Sequence, residues 1–186
     1  AFVNLSMVGT YANYALLANS LRMLINALFS GVTGSVGNLV AFGDKSKILS
    51  VFEELFTSRF LIITTALYCF FNLADSFVTL WIGEKYVLGS DVLLVIVLTL
   101  YIILSRATVD SFINATGLFH DIWAPIIESV LNLGISLLLG YYFGIIGVLS
   151  GALLSLVCIV FLWKPYFLFS QGLFKSISYY VLLYFK

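Results

Sequence analysis

The stretch VGTYANYALLANSLRMLINALFSGVTGSVGNLV, residues 8–40, decides the class of fold, because it is a long apolar run that carries one arginine near its centre. Written as a helix, it collects polar and small residues on one stripe, spaced three or four positions apart. The members of this stripe are Tyr11, Asn19, Arg22, Asn26, Ser30, Thr33 and Gly37. Arg22 lies too far from either end of this helix to reach a membrane surface easily.

The composition indicates an integral membrane protein. Hydrophobic residues make up 62% of the 186 positions and charged residues 10%, whereas soluble domains usually carry about a quarter charged residues. The mean hydropathy is +1.10, and the net charge of zero gives no support to nucleic-acid binding. Cys69 and Cys158 lie inside apolar runs and are predicted to be buried free thiols rather than a disulfide.

The pattern of apolar runs predicts an all-α, polytopic transmembrane helix bundle with about five complete spans and the start of a sixth. The predicted spans are 7–41, 60–82, 92–115, 122–143, 145–163 and, incomplete, 177–186. Between the first two, the amphipathic segment 48–58 is either an interfacial helix or the extended start of the second span. The chain begins without methionine and ends in an apolar run, so we expect it to be part of a longer protein, and no signal peptide can be identified.

Local signals predict the ends of several helices. Gly117 follows the third span as a glycine just past a helix C-terminus often does. Asp121 is placed to cap the fourth span, with Pro125 in its first turn. Residues 144–147 are predicted to form a tight reversal. The fifth span then carries a stripe of small residues that would let another helix approach closely, namely Gly147, Gly151 and Ser155.

The distribution of basic residues predicts the orientation. One side of the membrane would collect Lys45, Lys47, Arg59, Lys164 and Lys175, and the other only Lys85. This bias places the first side in the cytoplasm and the N-terminus outside. The loops near 42–59, 116–121 and 164–176 are then cytoplasmic.

Arg22 is the leading candidate for a functional residue, because an arginine at mid-depth costs at least ~2.5 kcal/mol on insertion scales. Two settings are expected for Arg22. In the first it faces a central cavity, where its planar guanidinium binds two oxygens of an anionic substrate. In the second it is structural, and it pairs with Asp75, with Glu128 or with backbone carbonyls.

Other ionisable residues inside the spans are candidates for coupling or for structural ion pairs. Arg106 and Asp110 are four residues apart in one helix and are predicted to pair, with a cavity or gating contact as the alternative. Glu128 is predicted to pair with Arg106, with proton coupling as the alternative. Asp75 is placed in a solvated outer vestibule.

Sequence patterns of enzymes are absent, so the chain is not expected to be an enzyme. It contains no HExxH, GxSxG, P-loop or Rossmann glycine fingerprint. Its single histidine, His120, lies in a predicted short loop and leaves little scope for a zinc site. No metal and no cofactor are predicted.

Several stretches together resemble a known family. In order, they are VGTYANYALLANSLRMLINALFSGVTGSVGNLVA followed by GDKSK, then LWIGEKYVLG, YIILSRATVDSFINATGLFHD, PIIESVLNLGISLLL, GIIGVLSGALLS and WKPY. In their order and spacing, the chain resembles the polysaccharide-flippase branch of the multidrug/oligosaccharidyl-lipid/polysaccharide exporter superfamily. The resemblance covers essentially the whole chain and does not rest on any single motif.

This resemblance implies a fold and a function. In that family two six-helix bundles enclose a central cavity, and this chain would form most of the second bundle of the MATE-like fold, from roughly the eighth helix onward. Alternating access would flip a polyprenyl-pyrophosphate-linked oligosaccharide across the bacterial cytoplasmic (inner) membrane. The product would serve O-antigen, capsule or exopolysaccharide biosynthesis.

The resemblance, together with the polar stripe around Arg22, suggests the site and its partners. Asn19, Arg22 and Asn26 would line the cargo path, with Tyr11 and Tyr14 near the outer mouth as surfaces for stacking sugars. The expected partners are the lipid-linked oligosaccharide, membrane lipid and a first bundle from the same protein, with a polysaccharide polymerase and glycosyltransferases as further candidates. Two alternatives stay open: an ion-coupled multidrug exporter of the same superfamily, in which Glu128 or Asp75 faces the cavity, and a non-transporting scaffold of an assembly complex.

Overall fold

A computed structural model describes residues 5–173 and 175–184, and these residues form helices and turns without a β-strand. The predicted all-α class is confirmed for this part of the chain. The long helices are α1 (Leu5–Phe42), α2 (Lys45–Ile82), α3 (Ser90–Ala115) and α4 (Trp123–Leu156). A 3₁₀ turn (Glu84–Tyr86) precedes α3, and α4 is followed by a π-helix (Val157–Trp163), α5 (Lys164–Phe167), a second π-helix (Leu168–Gly172) and α6 (Ile177–Leu183).

Among the described residues, four helical segments are long and apolar enough to cross a membrane, which makes the chain an integral membrane protein. They are Ser6–Phe42, Lys45–Ile82, Ser90–Ala115 and Trp123–Gly172. The last one folds back at Gly144, whose φ of 61° and ψ of −136° suit glycine and strain other residues. The predicted spans 122–143 and 145–163 correspond to its two arms, 123–143 and 145–172, so five arms form the polytopic bundle.

The two arms that meet at Gly144 pack closely, because small residues face each other across the hairpin. A Cβ atom added at Gly147 would lie 2.0 Å from the carbonyl oxygen of Leu139, and one at Gly151 would lie 2.5 Å from Cα of Ser136. The hydroxyl of Ser136 also donates a hydrogen bond to the carbonyl oxygen of Val148 at 2.9 Å. The predicted tight reversal and the predicted close helix approach are both confirmed.

Two predicted loops are shorter than expected. Only residues 43–44 connect α1 to α2, so the segment 48–58 is the extended start of α2. The predicted loop near 42–59 is therefore wrong, and Arg59 is a buried residue of α2. Most of the predicted loop at 164–176 is also wrong, because helical structure continues from α4 through Gly172.

The connection between α3 and α4 agrees with the prediction in one respect and differs in another. Gly117 adopts a positive φ of 70° just past the end of α3, as predicted. Asp121 does not cap α4, whose N-cap position is Ile122 and has no side-chain cap. Instead, its carboxylate accepts a hydrogen bond from Nε1 of Trp163 at 2.9 Å, which joins this connection to the second arm of the hairpin.

The helix α3 lies at the centre of the bundle and α1 at its edge. Half of the most apolar window of α3 is buried, compared with 12% of that of α1. One core cluster joins α1, α2 and α3 around Tyr14, Ile63 and Leu93. A second, aromatic cluster joins the start of α2 to the end of α3 and to α6 around Phe52 and Phe112. Most of α1 is therefore left uncovered by the described residues.

The two cysteines correct one expectation. Cys69 and Cys158 are free thiols, as predicted, but both are exposed on the outside of the bundle rather than buried. The prediction failed because an apolar run in a membrane protein can face lipid as well as the core. An exposed side chain in this protein therefore lies on the outer surface of the bundle, where it can face lipid as well as water.

Candidate functional site

A shallow groove of about 120 Å³ runs along the seam between α1 and α3. Three of the residues predicted to bind substrate line it: Tyr11, Asn19 and Arg22. Thr99 of α3 adds a fourth polar side chain. The remaining lining is small or apolar and consists of Ala15, Ala18, Ile96, Leu100, Ile103 and Leu149. The groove thus combines a polar face from α1 with an apolar floor.

The sequence explains why the groove forms there. In α1, the lining residues from Tyr11 to Arg22 repeat at three or four positions, which places them on one face of the helix. Ala15 and Ala18 are small, so they fill little of the space between the longer side chains on either side. In α3, Ile96, Leu100 and Ile103 follow the same spacing and form the opposite surface.

Arg22 lies at mid-depth in α1 and is partly exposed to the groove. It follows Leu5 by 17 residues and precedes Phe42 by 20, which corresponds to about 25 Å and about 30 Å along the helix. The carboxylate of Asp110 pairs with Arg106 and with Lys164, and Arg22 forms no ion pair with a described residue. The expected structural pairs of Arg22 with Asp75 or Glu128 are therefore not formed, and the guanidinium can accept an external anion.

Tyr14 and Asp75 occupy positions different from those predicted. The ring of Tyr14 is fully buried. Its hydroxyl donates a hydrogen bond to Oδ1 of Asp75 at 2.5 Å and accepts one from the backbone N–H of Leu88 at 3.3 Å. The ring has no free face for a sugar in this conformation, and the carboxylate of Asp75 is engaged rather than solvated in a vestibule. Tyr14 therefore ties α1 to α2 and to the segment that precedes α3.

Asn26 lies on α1 one turn beyond Arg22 and outside the groove. Its side chain is exposed, as is that of Ser30 one further turn along. These two residues extend the polar face of α1 past the end of the groove. The predicted stripe is therefore a continuous surface on α1, but among the described residues only its first half faces the other wall of the groove. The side chain of Thr33 is not among the described ones.

The ion pair between Arg106 and Asp110 is confirmed. Nε of Arg106 lies 2.6 Å from Oδ2 of Asp110, and Nζ of Lys164 lies 3.1 Å from Oδ1 of the same carboxylate. The second contact was missed because Lys164 was assigned to a loop. The predicted pairing of Glu128 with Arg106 is wrong, since Arg106 uses Asp110, and Glu128 is partly exposed on α4 without an ion pair to any described residue.

Arg59 is the residue that the sequence analysis missed. Its side chain is only 5% exposed, and its Cζ lies 4.4 Å from the centroid of the Phe29 ring. Its Nε has no hydrogen-bond partner among the described residues. The signal was present in the spacing of the apolar residues around it, because the buried positions Phe52, Phe56, Ile63 and Leu67 of α2 form a helical stripe that passes through position 59.

A larger groove of about 440 Å³ opens between α1 and α2 on the other side of α1. Its lining is almost entirely apolar, with Leu17, Leu21, Leu24, Phe70, Leu73 and Phe77 as the large side chains. Such a surface matches hydrocarbon and offers little to orient a polar ligand. The α1–α3 groove is therefore the candidate binding site. Within the described ranges, no three His, Cys, Asp or Glu side chains come together as metal ligands.

The fold and composition define this chain as a helical integral membrane protein with a polar groove at mid-depth. Comparison with known proteins adds no family, because the chain matches no family model, no curated protein and no solved structure. The groove and its chemistry are therefore the basis of the function proposed below.

Proposed function

We propose that this chain forms one wall of a path along which an anionic head group crosses the membrane. The observation that carries the proposal is Arg22, a cation at mid-depth that lines a groove beside Asn19 and has no counter-charge among the described residues. An arginine at this depth costs at least ~2.5 kcal/mol on insertion scales and usually marks a substrate or ion pathway. An anionic cargo supplies the missing charge.

The proposed cargo is a polyprenyl-pyrophosphate-linked oligosaccharide. A guanidinium binds two phosphate oxygens at once, which suits Arg22 to a pyrophosphate. The amide of Asn19 and the hydroxyl of Thr99 add hydrogen-bonding groups, and Tyr11 adds an aromatic ring at the end of the groove nearer the N-terminus. One arginine neutralises only part of a pyrophosphate, so we expect a further cation from a first bundle of the same protein.

The groove holds only the charged part of such a cargo. Its volume of about 120 Å³ is small for an oligosaccharide. The exposed side chains of Asn26 and Ser30 continue the polar surface along α1, so the sugars would follow this face. Movement of a first bundle against α1 would open the path first to one side of the membrane and then to the other, as in transporters built from two bundles. The step moves the cargo without making or breaking a covalent bond.

The proposed location is the bacterial cytoplasmic membrane, with the N-terminal end of α1 outside. Arg59 is buried and Lys164 is paired with Asp110, so neither belongs in a count of loop charges. The residues left on the first side are Lys45, Lys47 and Lys175, against Lys85 on the other. This bias of three to one still favours a cytoplasmic location for the connection between α1 and α2.

The two alternative functions lack a supporting observation in the groove. A multidrug exporter coupled to cations would be favoured by a carboxylate that faces the cavity, but neither Asp75 nor Glu128 lines the groove. A scaffold without transport would be favoured by a polar face of α1 that packs against other helices, but Asn19 and Asn26 are exposed.

The experiment is a flipping assay in vesicles that contain the whole protein, with a fluorescent pyrophosphate-linked oligosaccharide as cargo. We expect Arg22→Ala to slow flipping about tenfold or more, because a hydrogen bond to a charged group is worth about 1.5–3 kcal/mol and 1.4 kcal/mol is a factor of ten. Arg22→Lys should retain part of the activity. The matched control is Met23→Ala, an exposed neighbour on α1 that lines neither groove, and it should stay within about twofold of wild type. Flipping by Arg22→Ala at the wild-type rate and equal protein level would refute the proposal.

A further inference from the structure

The buried side chain of Arg59 is a second site that the proposed function does not use. It lies on α2 where three helices meet: Phe29 of α1 covers one face of the guanidinium, and Thr108 of α3 lies beside it. The side chain is 95% buried, and its Nε donates to no described atom. The face of an aromatic ring attracts a cation, but it does not accept a conventional hydrogen bond from the N–H groups at the edge of the guanidinium. Arg59 is therefore charged, enclosed and short of an acceptor.

Nothing in the described part of the chain neutralises this charge. Arg59 forms no ion pair with a described residue, and the carboxylate of Asp110 is already shared by Arg106 and Lys164. A buried cation without a counter-ion is strongly unfavourable, because the interior screens charge poorly and does not replace the lost hydration. A protein that keeps such a residue needs an anion from another source.

Two small cavities border Arg59 and show what size of anion fits. In each, the centre of a water-sized sphere can occupy about 10 Å³, so each has room for one water molecule or one small ion. A phosphate, a sulfate or a carboxylate-bearing molecule is too large for either cavity. A monatomic ion or a single water molecule is therefore the occupant that fits this space.

The walls of the cavities favour an anion over water. The hydroxyl-bearing residues of α3 that border them are Ser105, Thr108 and Ser111, and Thr108 borders both. The hydroxyl of Ser111 already donates to the carbonyl oxygen of Ala107, so Thr108 is the better-placed donor. The rest of the lining is mostly aliphatic or aromatic and would exclude further water. Water would satisfy Nε but would leave the positive charge uncompensated.

We propose that Arg59 and Thr108 form a binding site for one monatomic anion of the chloride class, enclosed between α1, α2 and α3. The ion accepts hydrogen bonds from the guanidinium and from the hydroxyl of Thr108. It compensates the charge of Arg59 and joins the three helices. Along α1, this site lies between Arg22 and the C-terminal end of the helix. The site is separate from the α1–α3 groove and does not depend on what that groove transports.

The test is direct binding of radioactive chloride to the full chain, purified in detergent and exchanged into sodium gluconate. We expect saturable binding of one chloride per chain, with competition by bromide and without competition by sulfate. Arg59→Met, which removes the charge and retains much of the length, should weaken binding by about 100-fold or more. Thr108→Val, which removes one hydrogen bond at nearly constant volume, should weaken it by about three- to tenfold.

The matched control is Lys47→Met, which removes a cation from an exposed position of the same helix and should leave chloride binding unchanged. Circular dichroism verifies that each variant keeps its helical content. If Arg59→Met does not fold, the graded loss in Thr108→Val and the competition by bromide decide the matter. No saturable chloride binding by the folded wild-type chain, or equal binding by folded Arg59→Met, would overturn the proposal and leave the cavities to water.

Discussion

Replacing Gly147 by alanine tests the packing of the hairpin that closes at Gly144. The added methyl group would lie 2.0 Å from the carbonyl oxygen of Leu139 and 2.9 Å from the backbone nitrogen of Gly140. Favourable separations between non-bonded heavy atoms are about 3.5–4.0 Å, so the two arms must move apart by about 1.5 Å. The obstacle is backbone, which cannot rotate aside as a flexible side chain can.

The expected cost follows from that movement. Overpacking costs about 1–3 kcal/mol, and separating the arms also breaks the hydrogen bond from Ser136 to Val148, worth about 0.5–1.5 kcal/mol. Alanine recovers up to about 1 kcal/mol through its higher helix propensity. We therefore expect Gly147→Ala to lower the free energy of unfolding by about 1–3 kcal/mol.

The assay is an equilibrium titration with sodium dodecyl sulfate in mixed micelles, followed by circular dichroism. Gly134→Ala is the matched control, since Gly134 lies in the first arm and a Cβ there would meet nothing within 4 Å. It gains the same helix propensity without the clash, so its stability should equal or exceed that of wild type. Equal unfolding midpoints for Gly147→Ala and Gly134→Ala would refute the packing argument.

Three further substitutions test other contacts by the same titration. Gly144→Ala should destabilise the chain by about 1–3 kcal/mol, because φ 61° with ψ −136° suits glycine alone; stability equal to wild type would show that the reversal has another conformation. Tyr14→Phe should cost about 1–2 kcal/mol by removing the hydrogen bonds to Asp75 and Leu88, while Tyr11→Phe should cost less than about 0.5 kcal/mol. Asp110→Asn should lower the free energy of unfolding by about 1–2 kcal/mol. The loss is smaller than for a fully buried ion pair because the side chain of Asp110 is 27% exposed. An unchanged free energy of unfolding would show that Arg106 and Lys164 are solvated independently.

Features that depend on local sequence could be predicted. The apolar period and the length of the runs are properties of each segment alone, and they gave the all-α class, the reversal near Gly144 and the small-residue contact of Gly147. The pair of Arg106 with Asp110 also needs only the spacing of four residues in one helix. None of these requires knowledge of which helices are neighbours.

Features that depend on the register between helices were missed. The error began with the loop assigned to 42–59, which hid the fact that α1 and α2 form a hairpin around residues 43–44. Once that turn is known, positions at equal distances from it become neighbours. Tyr14 and Asp75 lie 29 and 31 residues from the turn, and Phe29 and Arg59 lie 14 and 15 residues from it. Both contacts follow from the register, so the length of one loop determined whether they could be found.

The candidate binding site was partly predictable for the same reason. Tyr11, Asn19 and Arg22 share a face of α1 by periodicity alone, and the structure brings them together in one groove. Tyr14 is only three residues from Tyr11, yet it points into the core, because the boundary of a helix face depends on what packs against it. Asn26 lies on the predicted stripe but beyond the end of the groove, and it does not face the residues of α3 that line the groove.

The two arginines in the spans illustrate how enclosure decides the role of a buried charge. Arg22 borders an open groove of about 120 Å³, so an anion there can enter and leave with a cargo. Arg59 borders cavities of about 10 Å³, and Phe29 covers one face of its guanidinium, so only a small anion fits beside it. A polyatomic head group fits the groove at Arg22 but is too large for the cavities at Arg59, which have room for a monatomic ion. Because the cost of burying a charge falls only when its counter-ion is present, we expect the proposed anionic cargo to stabilise α1 at Arg22 only while it is bound. The proposed chloride would stabilise the junction at Arg59 whether or not that cargo is present.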